Sequence, residues 1–435
     1  MTIWAIINTL IFVIFTKVLK SPILRVYLLV NFIIFVIPVY MDYFFGIHHP
    51  KFIPGDISYA LSLKYMSIFN IVLCVSYVLL LNSIPKIAQI SSSLRYHSLN
   101  SPNPDSSAIA SIFMMIGVAF LAKLQLNTMG SIRMLEVTSG GPYLQLLKVF
   151  GGFDILALIL FGEVRNFVNK YGKMYNKLYF SAVVLCMMFA IYSGSRGQVV
   201  IVILITLLAF RRKIWRHRIV MVPVLMSGLP FLFVIFPLIG YWRVSEYNLD
   251  DALFLFDKYG ETGIYIMLNV LSTRLNYLEP LARVISLVTE KGPAGGESYW
   301  NNLIGVIPRA IWSGKPQITN NSQDLGHELN LVSLTDESTS IGLRVLGESF
   351  YEFGWLGIWI AIFQALIFVL IHKNLYFPGK AVSMTVYIYM IIFLITRDGY
   401  FAVIPGLIWV IIGIALFFFI QSTFRSGFKM VFKSR

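Results

Sequence analysis

Seven basic residues stand where a cation could bind a phosphate group. They interrupt or border strongly apolar stretches, where a charge is costly unless it is paired or binds an anion. An arginine side chain is planar and can hold two phosphate oxygens side by side. We therefore expect these residues to bind the pyrophosphate or glycan part of a substrate. They are Arg196, Arg243, Arg274, Arg309, Lys315, Arg344 and Arg397.

Arg196 is the strongest candidate among them. It lies in the segment 193–197, which reads Ser-Gly-Ser-Arg-Gly, and the small neighbours let a ligand approach the backbone. The alternative is an interfacial arginine whose long side chain reaches the lipid headgroups. Arg397 precedes Asp398 at the tip of a short turn, where the pair either closes the floor of the site or only stops a membrane span.

A second group of cations lies in the long polar interval 240–347. Arg243 follows two aromatic residues, which could equally form an interfacial belt. Arg309 and Lys315 lie between two prolines in the segment 307–316. A rigid segment with convergent positive charge suits an oxyanion site, whereas a surface turn with solvated charges fits the same residue types.

Candidate general bases lie at the end of this interval. Glu348 and Glu352 are four residues apart, so they share one face of a helix. One interpretation is that a carboxylate activates a sugar hydroxyl; the other is a structural ion pair with Arg344, one turn earlier. His327 is the only histidine of the interval and a second candidate base, although a lone loop histidine is more often inert.

No motif for a metal or a cofactor is present in the sequence. There is no His-Glu-x-x-His motif, no Asp-x-Asp-like motif and no cluster of cysteine and histidine. The two cysteines, Cys74 and Cys186, lie in apolar runs and fit neither a disulfide framework nor a thiolate site. We expect a reaction that needs no metal and no cofactor.

The composition indicates what holds these residues in place. The chain of 435 residues is 57% hydrophobic and 13% charged, whereas soluble domains carry about 25% charged residues. This predicts an all-α polytopic membrane protein. The net charge of +14 comes from basic residues in short loops beside apolar runs, as the positive-inside rule requires. No nucleic-acid-binding motif accompanies it, so a nucleic-acid partner is excluded.

Apolar runs close to the length of about 20 residues that crosses a bilayer predict eleven spans. Residues 1–239 hold spans one to eight, 240–348 form a large extracytoplasmic loop with short amphipathic helices, and 349–435 hold spans nine to eleven and a cytoplasmic tail. Basic loops place the N-terminus outside and the C-terminus in the cytoplasm. The predicted spans are 3–18, 26–45, 57–81, 108–126, 143–164, 178–192, 199–210, 219–239, 350–371, 381–396 and 400–420.

The chain resembles the bacterial O-antigen and capsular repeat-unit polymerases, the Wzy-type family of integral membrane proteins. The resemblance is carried by the segments 193–197 and 307–316 and by 347–357, which reads Gly-Glu-Ser-Phe-Tyr-Glu-Phe-Gly-Trp-Leu-Gly. Their order, and the single large outer loop between spans eight and nine, add to it. The sequence departs from some members, and from O-antigen ligases, in lacking a clean arginine–ten residues–glycine spacing in the loop.

The resemblance implies a GT-C-like glycosyltransferase of the bacterial inner membrane, for lipopolysaccharide or capsule biosynthesis. Its substrates would be oligosaccharide repeat units linked to undecaprenyl pyrophosphate, which it would polymerise on the outer face of the membrane. The cations Arg196, Arg243, Arg309 and Lys315 would stabilise the pyrophosphate leaving group, and Glu348 or His327 would be the base. Membrane lipid surrounds such an enzyme, and a chain-length regulator protein is a further partner to expect.

Two other functions stay open at this point. An O-antigen ligase-like enzyme would use the same donor with a lipid A-core acceptor. A flippase or transporter for lipid-linked sugars would need cations along a central cavity, whereas here they cluster near the outer ends of the spans. The sequence also contains no internal repeat, which disfavours a transporter built from inverted repeats.

Overall fold

The computed structural model describes residues 2–19, 21–45, 57–84, 106–128, 150–167, 172–192, 196–209, 250, 276–297, 299–300, 304, 312, 321–331, 343–376, 381–396 and 413–422. Every regular element in these residues is helical, which confirms the all-α prediction. A π-helical turn, Phe32–Val36, joins α2 to α3, and a 3₁₀ segment, Gly354–Trp359, joins α11 to α12. The α-helices are α1 (Thr2–Val18), α2 (Pro22–Asn31), α3 (Ile37–Phe45), α4 (Ile57–Ser83), α5 (Ser106–Thr128), α6 (Phe153–Phe167), α7 (Gly172–Tyr192), α8 (Arg196–Ala209), α9 (Leu278–Lys291), α10 (Asn321–Glu328), α11 (Arg344–Phe353), α12 (Ile360–Leu375), α13 (Ala381–Thr396) and α14 (Gly413–Ser422).

Several of these helices are suited to a membrane. Large apolar side chains face outward from them, for example Leu79 at 62% and Phe363 at 61% exposure. Such a surface is unfavourable in water and normal against lipid. The length and composition of four stretches therefore agree with the predicted membrane protein: Pro22–Tyr40, Ile57–Ser83, Met174–Ile191 and Arg344–Leu375.

The helix boundaries follow the apolar runs of the sequence, with one informative difference. The predicted tenth span coincides with α13, at residues 381–396. The predicted ninth span begins at Phe350, whereas the helix begins at Arg344. Arg344 and Glu348 therefore lie in the first turns of a helix, because its charged positions share the turns with buried apolar ones such as Leu346. The predicted eighth span, 219–239, lies outside the described residues.

The chain divides into two compact units, each assembled from distant parts of the sequence. The first unit contains Met1–Ile90, Leu268–Tyr376 and Met390–Gly406. The second contains Ser91–Met267, Phe377–Tyr389 and Leu407–Arg435. Helices that precede and follow the polar interval thus share one core.

Helix α4 lies at the centre of the first unit, where it packs against α1, α9 and α12. Tyr65 is completely buried there. Its ring meets Phe350 edge-on at 4.9 Å and Trp355 at 5.7 Å between centroids. Such pairs add about 0.5–1.5 kcal/mol beyond the burial of their area. The hydroxyl of Tyr65 also shares a 2.9 Å hydrogen bond with that of Ser349, which ties α4 to the start of the α11–α12 stretch.

The 3₁₀ segment after α11 depends on a glycine. A Cβ atom on Gly357 would lie 2.1 Å from the carbonyl oxygen of Ser349 and 2.7 Å from the hydroxyl oxygen of Tyr65. Only a residue without a side chain allows this approach. Gly357 therefore fixes how the end of α11 folds back on itself beside α4.

The π-helical turn has a local cause. In an α-helix the carbonyl of Ile34 would accept a hydrogen bond from residue 38, but Pro38 has no N–H. The carbonyl of Ile34 accepts a 3.1 Å hydrogen bond from the N–H of Tyr277 instead. A proline in a membrane helix thus frees the acceptor that anchors the start of α9.

Helix α9 was predicted as part of a helix pair, 262–288, lying at the surface. The described helix covers Leu278–Lys291 and packs on α4 and α11. Its apolar face is almost fully covered, with Leu281 at 1% and Val284 at 0% exposure. The helix has no core of its own, so it uses the membrane helices as one. Residues 262–275 lie outside the described residues.

The second unit contains α5 to α8. Rings of Phe120 and Phe189 stack at 4.2 Å between centroids. A Cβ atom on Gly162 would come within 2.8 Å of the Cβ of Ala209, so α6 and α8 approach closely. Small residues at such crossings let membrane helices pack without help from the hydrophobic effect.

Candidate functional site

Arg344 is the best-defined predicted cation in the described residues. It begins α11 with a φ of 52°, in the left-handed region. A non-glycine residue there costs about 1–3 kcal/mol, which the surrounding structure has to offset, and such strain concentrates at functional sites. The backbone therefore points to a role for this arginine beyond filling space.

The aromatic ring of Tyr277 holds the guanidinium group in place. The Cζ atom of Arg344 lies 4.5 Å from the centre of that ring, which is a cation–π contact of about 0.5–2 kcal/mol. Tyr277 is itself anchored through its N–H to the carbonyl of Ile34. Pro38, by freeing that carbonyl, thus takes part in positioning the arginine.

A narrow, partly open cleft borders Arg344. Its walls are mostly apolar, formed by residues such as Val26 and Phe368, and its polar groups are Tyr27, Asn31 and Arg344. An apolar wall with a few convergent polar groups is the usual design of a ligand site. This cleft suits a ligand with a thin apolar part and an anionic end.

Buried amides surround the hydroxyl of Tyr27. This hydroxyl lies close to the side chains of Asn31 and Gln364, and Arg344 acts on it electrostatically. Asn31 donates a 3.3 Å hydrogen bond to Asn70. Gln364 is 2% exposed, and its Oε1 finds no hydrogen-bond partner among the described residues. Since buried polar atoms are normally paired, this oxygen can accept a bond from a ligand or a water.

The structure separates the two predicted carboxylates. Glu352 is fully buried, and its Oε2 accepts a 2.7 Å hydrogen bond from the N–H of Gly296. The backbone carbonyl of the same residue accepts the N–H of Gly295 at 2.9 Å. Both glycines have a positive φ. Glu352 therefore fixes the loop after α9 and is not the candidate base.

Glu348 is half-buried and acts on Tyr299. Tyr299 is 9% exposed. Burial raises the pKa of its hydroxyl, and the negative charge of Glu348 raises it further. A raised pKa keeps this hydroxyl protonated at neutral pH, so Tyr299 can donate a hydrogen bond but cannot act as a base. Glu348 remains the carboxylate available for proton transfer.

His327 lies on α10, a different helix from Glu348, in the same unit. Its Nδ1 is buried without a hydrogen-bond partner among the described residues. A 2.7 Å ion pair between Lys291 and Glu328 attaches α10 to α9. Arg283 attaches the two further, by donating to the carbonyl of Leu329 at 3.1 Å. His327 thus has a fixed position and an unused nitrogen.

Several other predicted site residues are outside the described part of the chain. Arg196 is the first residue of α8. The structure thus gathers Arg344, Glu348 and His327 in one unit and leaves the remaining predictions as they were. The residues outside are Arg243, Arg274, Arg309, Lys315 and Arg397.

The sequence analysis missed a buried charge pair in the second unit. The Nζ of Lys123 lies 2.5 Å from Oδ2 of Asp154 and donates to Oε1 of Gln198 at 3.2 Å. Lys123 is 8% and Asp154 2% exposed. The signal was available, because two opposite charges inside neighbouring apolar runs are expected to pair.

Metal and known-protein comparisons add no further assignment. Among the described residues, no group of three or more His, Cys, Asp or Glu side chains is arranged to hold a metal ion. Cys74 and Cys186 are both buried and free. Comparison of the chain with protein-family models, curated proteins and solved structures finds no match.

Proposed function

We propose that this protein is a membrane glycosyltransferase that polymerises oligosaccharide repeat units linked to undecaprenyl pyrophosphate into O-antigen or capsular polysaccharide. The observation that carries the proposal is Arg344, held in a strained backbone conformation beside a mostly apolar cleft. A lipid pyrophosphate has the same two parts, an apolar chain and a dense negative charge. The sequence resemblance supplies the sugar chemistry.

The proposal includes the finer membrane arrangement predicted above. Eleven spans in a GT-C-like architecture carry one large extracytoplasmic loop, 240–348, with the N-terminus outside and the C-terminus in the cytoplasm. The enzyme lies in the bacterial inner membrane, and its reaction takes place at the outer face. Arg196 and the loop cations add positive charge to the same reaction.

In the proposed reaction, a hydroxyl of one lipid-linked repeat unit attacks the anomeric carbon of the growing glycan. The new glycosidic bond forms as the carbon–oxygen bond to the lipid pyrophosphate breaks, and the bonding electrons leave with the pyrophosphate. The proton of the hydroxyl passes to Glu348, with His327 as the second candidate base. Arg344 stabilises the charge that develops on the leaving group.

Deletion of the gene tests the reaction class. Loss of a polymerase leaves single repeat units in place of the ladder of surface polysaccharide on a gel. Loss of a ligase or a flippase instead removes all repeats attached to lipid A. The second pattern would overturn the polymerase proposal, and complementation with the intact gene is the control.

The two carboxylates of α11 provide a matched pair for testing the base. We expect Glu348→Gln to lower chain extension at least about 100-fold, since general bases contribute about 10²–10⁴-fold. Glu352→Gln keeps an oxygen for the N–H of Gly296 and is expected to retain most activity. Ladder length and protein level are measured in both strains. A normal ladder with Glu348→Gln would transfer the role to His327, whose substitution is then tested in the same way.

A further inference from the structure

The buried charge pair of the second unit lies beside the start of α8. Lys123 belongs to the last turns of α5, Asp154 to the first turn of α6 and Gln198 to the first turn of α8. The ammonium of Lys123 reaches the carboxylate and the amide oxygen together. One side chain thus joins three helices at one level of the bundle.

The carboxylate is well placed to hold this cation. Oδ2 of Asp154 faces the ammonium, while Oδ1 accepts the N–H of Ile155 at 2.8 Å. An acidic residue in the first turn of a helix is also favoured by the helix dipole. The pair is therefore a fixed point in the bundle, to which Gln198 is attached.

Apolar contacts already hold these helices together, so the pair is not needed as simple glue. Phe113 packs edge-on against Phe161, and Phe161 against Tyr179, at 5.9 and 5.7 Å between centroids. Replacing a buried ion pair by apolar residues is often neutral or stabilising, and its better-attested use is to fix one arrangement. Here the arrangement that it fixes is the first turn of α8.

We propose that Lys123, Asp154 and Gln198 form a positioning clamp for Arg196, the residue at which α8 begins. Gln198 is two residues from Arg196, in the same turn but on a different face of the helix. The clamp thus holds the turn and leaves the face of Arg196 open to substrate. This inference rests on the proposed function, in which Arg196 acts on the lipid pyrophosphate, and it names residues that position that cation.

Gln198→Leu is the sharpest variant because it removes the acceptor and leaves the Lys123–Asp154 pair intact. The reporter is Arg196→Cys in the full-length protein. The native Cys74 and Cys186 are 0% and 1% exposed, so the introduced thiol reacts selectively with N-ethylmaleimide. We expect Gln198→Leu to change the reaction rate at position 196 at least about tenfold, because the turn is no longer fixed. Gln198→Glu keeps an oxygen for Lys123 and is expected to restore the rate.

A second reporter separates positioning from general loosening. Met174→Cys, at an exposed position near the start of α7, is expected to react at the same rate with and without Gln198→Leu. An unchanged rate at position 196, or equal changes at both positions, would overturn the clamp. If Gln198→Leu does not accumulate, Gln198→Asn withdraws the same oxygen with a smaller change of shape and takes its place.

Failure of the clamp and failure of the proposed function give different results. The thiol reaction reports on position 196 without any assay of the polysaccharide. Chain extension is followed separately in Gln198→Leu, which we expect to shorten the ladder, and in Arg196→Ala, which we expect to abolish it. A normal ladder in Arg196→Ala would overturn the role of that cation in the reaction, whatever the thiol reports.

Discussion

Replacement of Arg344 by alanine is expected to lower chain extension at least about 100-fold, the usual cost of removing one group that stabilises charge in a transition state. The protein is expected to accumulate, because the left-handed backbone at this residue already carries strain. Chain length on a polysaccharide gel and protein level in the membrane are measured together. A normal ladder in Arg344→Ala would remove the main support for the proposed function.

Two further variants at this position separate charge from backbone strain. Arg344→Gly also lacks the guanidinium, but glycine adopts the left-handed conformation freely, so it should be about 1 kcal/mol more stable than Arg344→Ala. Arg344→Lys keeps a positive charge without the planar fork and should retain intermediate activity. Lys291→Ala is the control for loss of a cation in the same unit. Lys291 is exposed and pairs only across the surface with Glu328, so little change is expected.

Replacement of Gly357 by alanine is expected to have the largest effect on stability. The new Cβ would lie 2.1 Å from the backbone oxygen of Ser349, and a backbone atom cannot move aside as the tip of a side chain can. We expect a loss of about 3 kcal/mol or more, at the upper end of overpacking effects. The thermal midpoint of the solubilised protein and its yield in the membrane report the change.

Gly117→Ala is the matched control for this substitution. Gly117 lies within α5, and a Cβ there meets no atom within 4 Å. Alanine is favoured over glycine inside a helix, so a gain of up to about 1 kcal/mol is expected. Combining Gly357→Ala with Tyr65→Phe relieves only the 2.7 Å approach to the hydroxyl. Full rescue by Tyr65→Phe would show that the backbone clash is not the cause.

Arg344 illustrates what a sequence can and cannot say about a site. An arginine one turn before Glu348 was recognisable as a candidate cation from residue types and spacing. Its left-handed backbone, its position over Tyr277 and the cleft beside it were not. They depend on a proline in another helix, Pro38, which frees an acceptor for a residue far along the chain.

The carboxylates teach the same lesson from the other side. Glu348 and Glu352 are equivalent in sequence, since both lie on one helix face at the edge of an apolar run. The structure distinguishes them, because only Glu352 meets the N–H of a glycine loop after α9. No local pattern around either residue encodes that partner.

The sequence by itself determined the helical class, the apolar stretches suited to a membrane and most helix boundaries. These follow from hydrophobicity and from the hydrogen-bonding needs of the backbone, which are local properties. Tertiary structure alone decided that α9 packs on the membrane helices, that Lys123 meets Asp154 and Gln198, and that Arg344 borders a cleft. Such partners are far apart in the chain, and only the packing of several helices at once selects them.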